Sequence, residues 1–212
     1  MDNKFISKVF KYFGIGLIIT FLTAYIVSIN ENIINIVYQT PTLIILCILE
    51  IGLAIFLPLR INKMTKTTAK TLYYTYTILT GLTLSSIFLI YKITSIIYIF
   101  LASAIIFIIF SIIGKNIKID LSKFTTFLLF SLLTVIILEI INIFLLNNTL
   151  DITLCIISII IFMAYIAYDI QIIIKMNDYT NTENYAIIGA FNLYLDFINI
   201  FIKLLRLFAE EK

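Results

Sequence analysis

Histidine is absent from the 212-residue chain, cysteine and proline occur twice each, and charged residues make up only 13%. Cys47 and Cys155 both fall inside apolar runs, without CxxC spacing, so neither a disulfide framework nor a zinc site is available. The scarcity of charge excludes an ordinary soluble domain, in which roughly a quarter of the residues are charged. Nucleic-acid binding is excluded on similar grounds. The net charge is only +3, and the positives are spread along the chain instead of gathered on one face.

What fills the chain instead is apolar: 62% of residues are hydrophobic and the mean hydropathy is +1.11. Runs close to the roughly 18 to 20 residues needed to cross a ~30 Å hydrocarbon core recur from one end to the other. A cleavable signal peptide therefore accounts for none of the pattern. The runs predict spans at about 10–29, 41–59, 72–91, 93–113, 124–146, 152–174 and 186–208. The expected fold is an all-α integral membrane protein, a seven-helix bundle forming a single domain over 1–212. Six spans follow directly from hydropathy, whereas the seventh either crosses or dips in and returns.

Lysine placement gives the expected orientation, since cytoplasmic loops carry the excess of Lys and Arg. With the N-terminus cytoplasmic, eleven positives lie inside: Lys4, Lys8, Lys11, Arg60, Lys63, Lys66, Lys70, Lys115, Lys118, Lys123 and Lys175. The opposite loops of the six-helix topology hold only Lys92. A seventh span that crosses fully would carry Lys203, Arg206 and Lys212 toward the outside, against that bias.

Small and hydroxylated residues recur every fourth position in two spans: Gly16, Thr20 and Ala24, then Thr77, Gly81 and Ser85. Such stripes let helix backbones approach closely in lipid, so packing accounts for them. Pro41 suits the first turn of the second span, and Pro58 marks a bend or the approach of its end.

Carboxylates inside spans need a different account, because an Asp at the bilayer centre costs about 2.5 to 3.5 kcal/mol. Four occur: Glu50, Glu139, Asp169 and Asp196. Glu139, with Asn142 one turn on, is equally well read as satisfied by a neighbouring hydroxyl or amide. Asp196 belongs to a stripe. Gly189, Asn192, Asp196, Asn199, Lys203 and Arg206 follow one another at steps of 3, 4, 3, 4 and 3 and share one helix face. The other faces are Phe, Leu, Ile and Tyr, so the stripe turns inward and the seventh span lines a cavity.

Asp169 is the natural partner for Asp196, because only about eleven residues separate the sixth span from the seventh. Two carboxylates held close in a low dielectric share one proton, which makes the pair a proton sensor. It is also a hard-oxygen site suited to a divalent cation, with Asn side chains and carbonyls as further ligands. Arg60 is one of two arginines against thirteen lysines. A guanidinium stays charged and grips carboxylates bidentately, so Arg60 could lock Asp169 when that group is ionised.

The closing segment GAFNLYLDFINIFIKLLRLF resembles the C-terminal signature of the Bax inhibitor-1, or transmembrane Bax inhibitor motif, family. YIAYDIQIII is similar to its sixth helix and GLTLSSIFLIYKITSI to its third. The resemblance implies six helices around a central seventh. It also implies a pH-sensitive calcium leak governed by paired aspartates matching Asp169 and Asp196, an arginine matching Arg60, and a pore-associated acid matching Glu50. Asn192 and Asn199 would line the same path, with calcium and protons as its ligands and no cofactor. The Ile, Asn and Lys-heavy composition points to a bacterial cell membrane. Lys203, two turns beyond Asp196, departs from the pattern and could pair with Asp196 or compete with a cation; Arg206 and Glu139 have no assigned role. Protein partners are not legible.

Other readings differ in kind. An intramembrane aspartyl protease would also use two aspartates, but the second aspartate here stands in LYLDF rather than GxGD, and no Pro-Ala-Leu follows. Enzymatic activity is therefore not expected. A proton-coupled transporter would use intramembrane carboxylates, yet no inverted repeat or pair of broken helices is visible. A regulatory membrane protein without transport is the remaining alternative.

Overall fold

A chain crossing hydrocarbon must satisfy every backbone N–H and C=O internally, and this sequence does so with helices. The computed structural model describes residues 3–179 and 183–212. Those residues form α1 Asn3–Ser28, α2 Glu31–Val37, α3 Thr40–Arg60, α4 Lys66–Thr83, α5 Ile87–Ile90, α6 Ile93–Asn116, α7 Thr125–Leu145, α8 Asn148–Tyr179 and α9 Glu183–Phe208. Short 3-10 turns join α3 to α4, α4 to α5 and α6 to α7. The only extended pairing among the described residues is an isolated antiparallel bridge between Tyr91 and Glu211.

Among the described residues, seven segments are long and apolar enough to span a membrane. They coincide with the expected spans, with four main differences. The N-terminal helix starts at Asn3 rather than near residue 10, because Lys4, Lys8 and Lys11 extend the amphipathic first turns beyond the apolar run. The third span starts at Lys66, where Thr65 accepts a hydrogen bond from the Thr68 N–H at 3.2 Å and caps α4. That span is also interrupted at Leu84–Ser86, and the short α2 was not anticipated.

The helices group into two compact units. The first comprises Met1–Ile93, Met176–Tyr194 and Glu211–Lys212; the second comprises Thr94–Lys175 and Leu195–Glu210. In the first, α1 and α4 pack through their small-residue stripes. A methyl on Gly16 would fall 2.1 Å from the Tyr73 hydroxyl, and one on Gly81 would fall 2.7 Å from the Thr20 carbonyl oxygen. Thr20 itself bonds the Thr77 carbonyl at 2.9 Å and the Tyr194 hydroxyl at 2.6 Å. The N-terminal half of α9 completes this unit, with Phe191 and Tyr194 set edge-on against Tyr73 and Tyr76.

In the second unit α6 and α8 meet at Gly114, where an added methyl would lie 2.3 Å from the Ala167 carbonyl oxygen. Phe197 and Phe201 on the C-terminal half of α9 pack against Phe100 and Phe107 of α6. Burial is therefore concentrated on α9: 72% of its apolar stretch is enclosed, against at most 44% for any other span. This is the enclosure that its polar stripe requires.

Candidate functional site

The stripe on α9 is the starting point, since helical spacing alone puts Asn192, Asp196, Asn199, Lys203 and Arg206 on one face. Asp196 is only 4% exposed and Asp169, on α8, 6%. Their carboxyl groups lie within interaction range of each other. Among the described residues the second Asp196 oxygen, Oδ2, is buried without a hydrogen-bond partner. Tyr165, one turn before Asp169, lies within electrostatic range of both acids. The pair read from sequence is thus brought together within the second unit.

Beyond Asp196 the stripe changes character. Asn199 turns back to the Leu195 carbonyl at 2.7 Å and Asn192 is half-buried. Lys203 is 8% exposed and donates to Glu139 Oε1 on α7, which also accepts from the Ser158 hydroxyl at 3.2 Å. Its partner is therefore Glu139 rather than Asp196. One turn further, Arg206 pairs with Asp151 on α8 at 2.6 Å. Glu139, Asn142, Asn147, Asn148, Asp151 and Arg206 line a cavity of about 460 Å³ at this end.

Arg206 thus lies beside the start of α8, at the turn that follows α7. Within this unit, Asp120, Ser122 and Gln171 organise the opposite end. Gln171 binds the Leu121 N–H at 2.7 Å and the Ile119 carbonyl at 2.9 Å. Asp120 pairs with Lys175. The seventh span is long and apolar enough to cross, and Lys203 and Arg206 near its end are paired with carboxylates.

In the first unit, Glu50 is half-buried on α3 and accepts from the Thr83 hydroxyl at 3.0 Å. Thr83 is the last residue before the interruption of the third span. The Tyr38 hydroxyl fills that interruption, donating to the Thr83 carbonyl at 2.8 Å and accepting the Ser86 N–H at 2.7 Å. At the other end, Glu183 bonds Tyr12 and pairs with Lys70 at 2.9 Å, while Asn184 binds the Ile61 and Met64 carbonyls. Arg60 closes α3 as an exposed side chain. No group of three or more His, Cys, Asp or Glu suited to holding a metal occurs among the described residues.

The family profile described as Inhibitor of apoptosis-promoting Bax1 matches residues 2–212. The chain belongs to the Bax inhibitor-1 family. Among bacterial relatives, an uncharacterized protein of Borreliella burgdorferi is 36% identical, covering 100% of this chain and 94% of that protein. The inner membrane protein YbhL of Escherichia coli is 32% identical, covering 99% of this chain and 93% of the relative. The uncharacterized protein RP147 of Rickettsia prowazekii is 32% identical, with 99% and 91% covered. This Bax inhibitor-1 family member is a multi-pass membrane protein. Glu139, Asp151 and Tyr38 are the participants that sequence reading left without a role. Asp151 was recoverable only as an acid in the first turn of a helix, and Tyr38 carried no signal.

Proposed function

We propose that the protein is a pH-sensitive calcium leak of the bacterial cell membrane, governed by the proton shared between Asp169 and Asp196. The observation that carries this reading is the enclosed contact between the two carboxyl groups, with Asp196 Oδ2 unpartnered inside it. An enclosed acid pair changes charge by one proton at a time, and ionised it offers oxygen ligands to a passing divalent cation. Calcium is substrate in this account, taking up further oxygens from Asn192, Asn199 and water in transit. Glu50 supplies a second acidic station. Arg60 acts as gate partner, a guanidinium that stays charged throughout the pH range in which the pair titrates.

The N-terminus is cytoplasmic in this reading. The support is the distribution of charge: Lys4, Lys8, Lys11, Arg60, Lys63, Lys66 and Lys70 belong to the end of the first unit that holds Glu183, and Lys118, Lys123 and Lys175 to the Asp120 end of the second.

Calcium flux into proteoliposomes at several pH values tests the proposal. Wild type should pass calcium in a pH-dependent way, with Asp169→Asn and Asp196→Asn flattening the dependence and Arg60→Ala shifting it. Flux absent throughout, or indifferent to all three changes, would remove the channel reading. The interrupted third span beside Glu50 favours a proton-coupled transporter as second reading, since broken helices often accompany coupled transport. Calcium movement that acidifies or alkalinises the lumen stoichiometrically would favour it over a leak.

A further inference from the structure

Lys203 poses a problem for any cation path along the α9 stripe. It lies one turn past Asn199, two turns past Asp196 and next to the Arg206–Asp151 pair that lines the cavity. A buried ammonium at that position repels cations moving between the cavity and the acid pair. The repulsion is strong there because the surroundings screen charge far less than bulk water. Glu139 resolves the conflict. It projects from α7 onto the Lys203 ammonium, is held by Ser158 from α8, and forms part of the cavity wall. Arg206 is balanced in the same way by Asp151.

We infer that Glu139 and Lys203 form a charge-compensated constriction between the 460 Å³ cavity and Asp196, and that Glu139 sets the preference of this mouth for cations over anions. The first part stands on the geometry of the second unit; the consequence for flux rests on the calcium-leak reading. Each charge is needed only because the other is present. Removing Glu139 leaves Lys203 as an uncompensated barrier, whereas removing Lys203 leaves an acidic mouth that still admits cations. Removing both returns a neutral one.

Two measurements separate this inference from the leak reading. The first reads potential without transport. Asn148 lines the cavity and is exposed, so Asn148→Cys, in a background carrying Cys47→Ser and Cys155→Ser, places a reporter thiol there. Its modification rates by cationic and anionic methanethiosulfonates are compared in detergent. Glu139→Gln should shift the cation-to-anion rate ratio at least about threefold toward the anion, and Lys203→Met a similar amount toward the cation, as expected for an unbalanced unit charge in a partly dry site. Glu139→Gln with Lys203→Met should return the ratio to within twofold of the parent. An unmoved ratio in both single variants, or a double variant that behaves like Glu139→Gln alone, overturns the inference.

The second measurement is calcium flux in proteoliposomes. Glu139→Gln should fall about tenfold, Lys203→Met should equal or exceed wild type, and the pair together should recover to within threefold. If the thiol ratios move as stated while wild type passes no calcium, the leak reading fails and the charge-compensated mouth stands. If wild type conducts but Lys203→Met is as slow as Glu139→Gln, the pair is merely structural and the inference fails. Should Glu139→Gln not fold, Lys203→Met and the double variant still decide the matter.

Discussion

Two lysine–carboxylate pairs in the second unit show how setting changes the meaning of one interaction. Asp120 and Lys175 are each nearly half exposed, so solvent screens their attraction and the pair adds little to stability. It nevertheless marks the local chemistry: the Lys175 ammonium, then the Ser122 hydroxyl and N–H, hold the Asp120 carboxyl well below the usual carboxylate range. The folded form thus prefers the ionised acid. Its contribution is present above the ordinary Asp value of about 3.9 and is lost as pH falls through the lower folded value. Observed by NMR of carboxyl-labelled aspartate, Asp120 should stay ionised at pH values where a free Asp is half protonated. Lys175→Met should move its midpoint up toward the ordinary value; an unmoved midpoint would discard Lys175 as the cause. Lys203, by contrast, is buried, and Glu139 is only partly exposed. The Asp196 stripe was legible because periodicity within one helix fixes a face. The partner of Lys203 was not, because Glu139 stands on another helix, and the rotation of one helix against another leaves no mark in either one's spacing. Asp196 itself lies about 10 Å along the axis from Lys203, seven residues at a rise of roughly 1.5 Å each.

Among the elements, the third span departs most from a hydropathy reading. Nothing in GLTLSSIFLI contains the Pro that usually breaks a helix, and the interruption comes from Tyr38, remote in sequence, inserting its hydroxyl between Thr83 and Ser86. Tyr38→Phe should leave that carbonyl and N–H without the phenol and cost about 1 to 3 kcal/mol, read by thermal or denaturant unfolding in detergent. No loss would show that the turn holds by itself. Glycines divide by what surrounds them. At Gly114 the Ala167 backbone leaves no room for a side chain, whereas Gly14 has nothing within 4 Å of an added methyl. Gly114→Val should destabilise by at least about 2 kcal/mol and Gly14→Val by much less, by the same assay. The sequence stripes on α1 and α4 foretold close packing because they repeat every fourth residue; Gly114 is a single contact and gave no period to read.

At the level of the whole molecule, hydropathy located seven spans because lipid demands length and apolarity of each one separately. The crossing of α9 was open to sequence because Lys203, Arg206 and Lys212 contradict the charge bias. In the structure these charges have partners: Glu139 and Asp151 neutralise the first two, and Lys212 binds the Phe88 and Ile90 carbonyls. A carboxylate on a neighbouring helix removes a charge conflict that a count of Lys and Arg registers in full. The central claim remains that a proton on the Asp169 and Asp196 pair controls the passage of calcium. Its most direct test follows the carboxyl band by infrared difference spectroscopy alongside calcium flux, over one pH range, in wild type and Asp196→Asn. The account predicts that band and flux titrate together in wild type and that both transitions vanish in Asp196→Asn. A wild-type pH dependence of flux persisting in Asp196→Asn would contradict it.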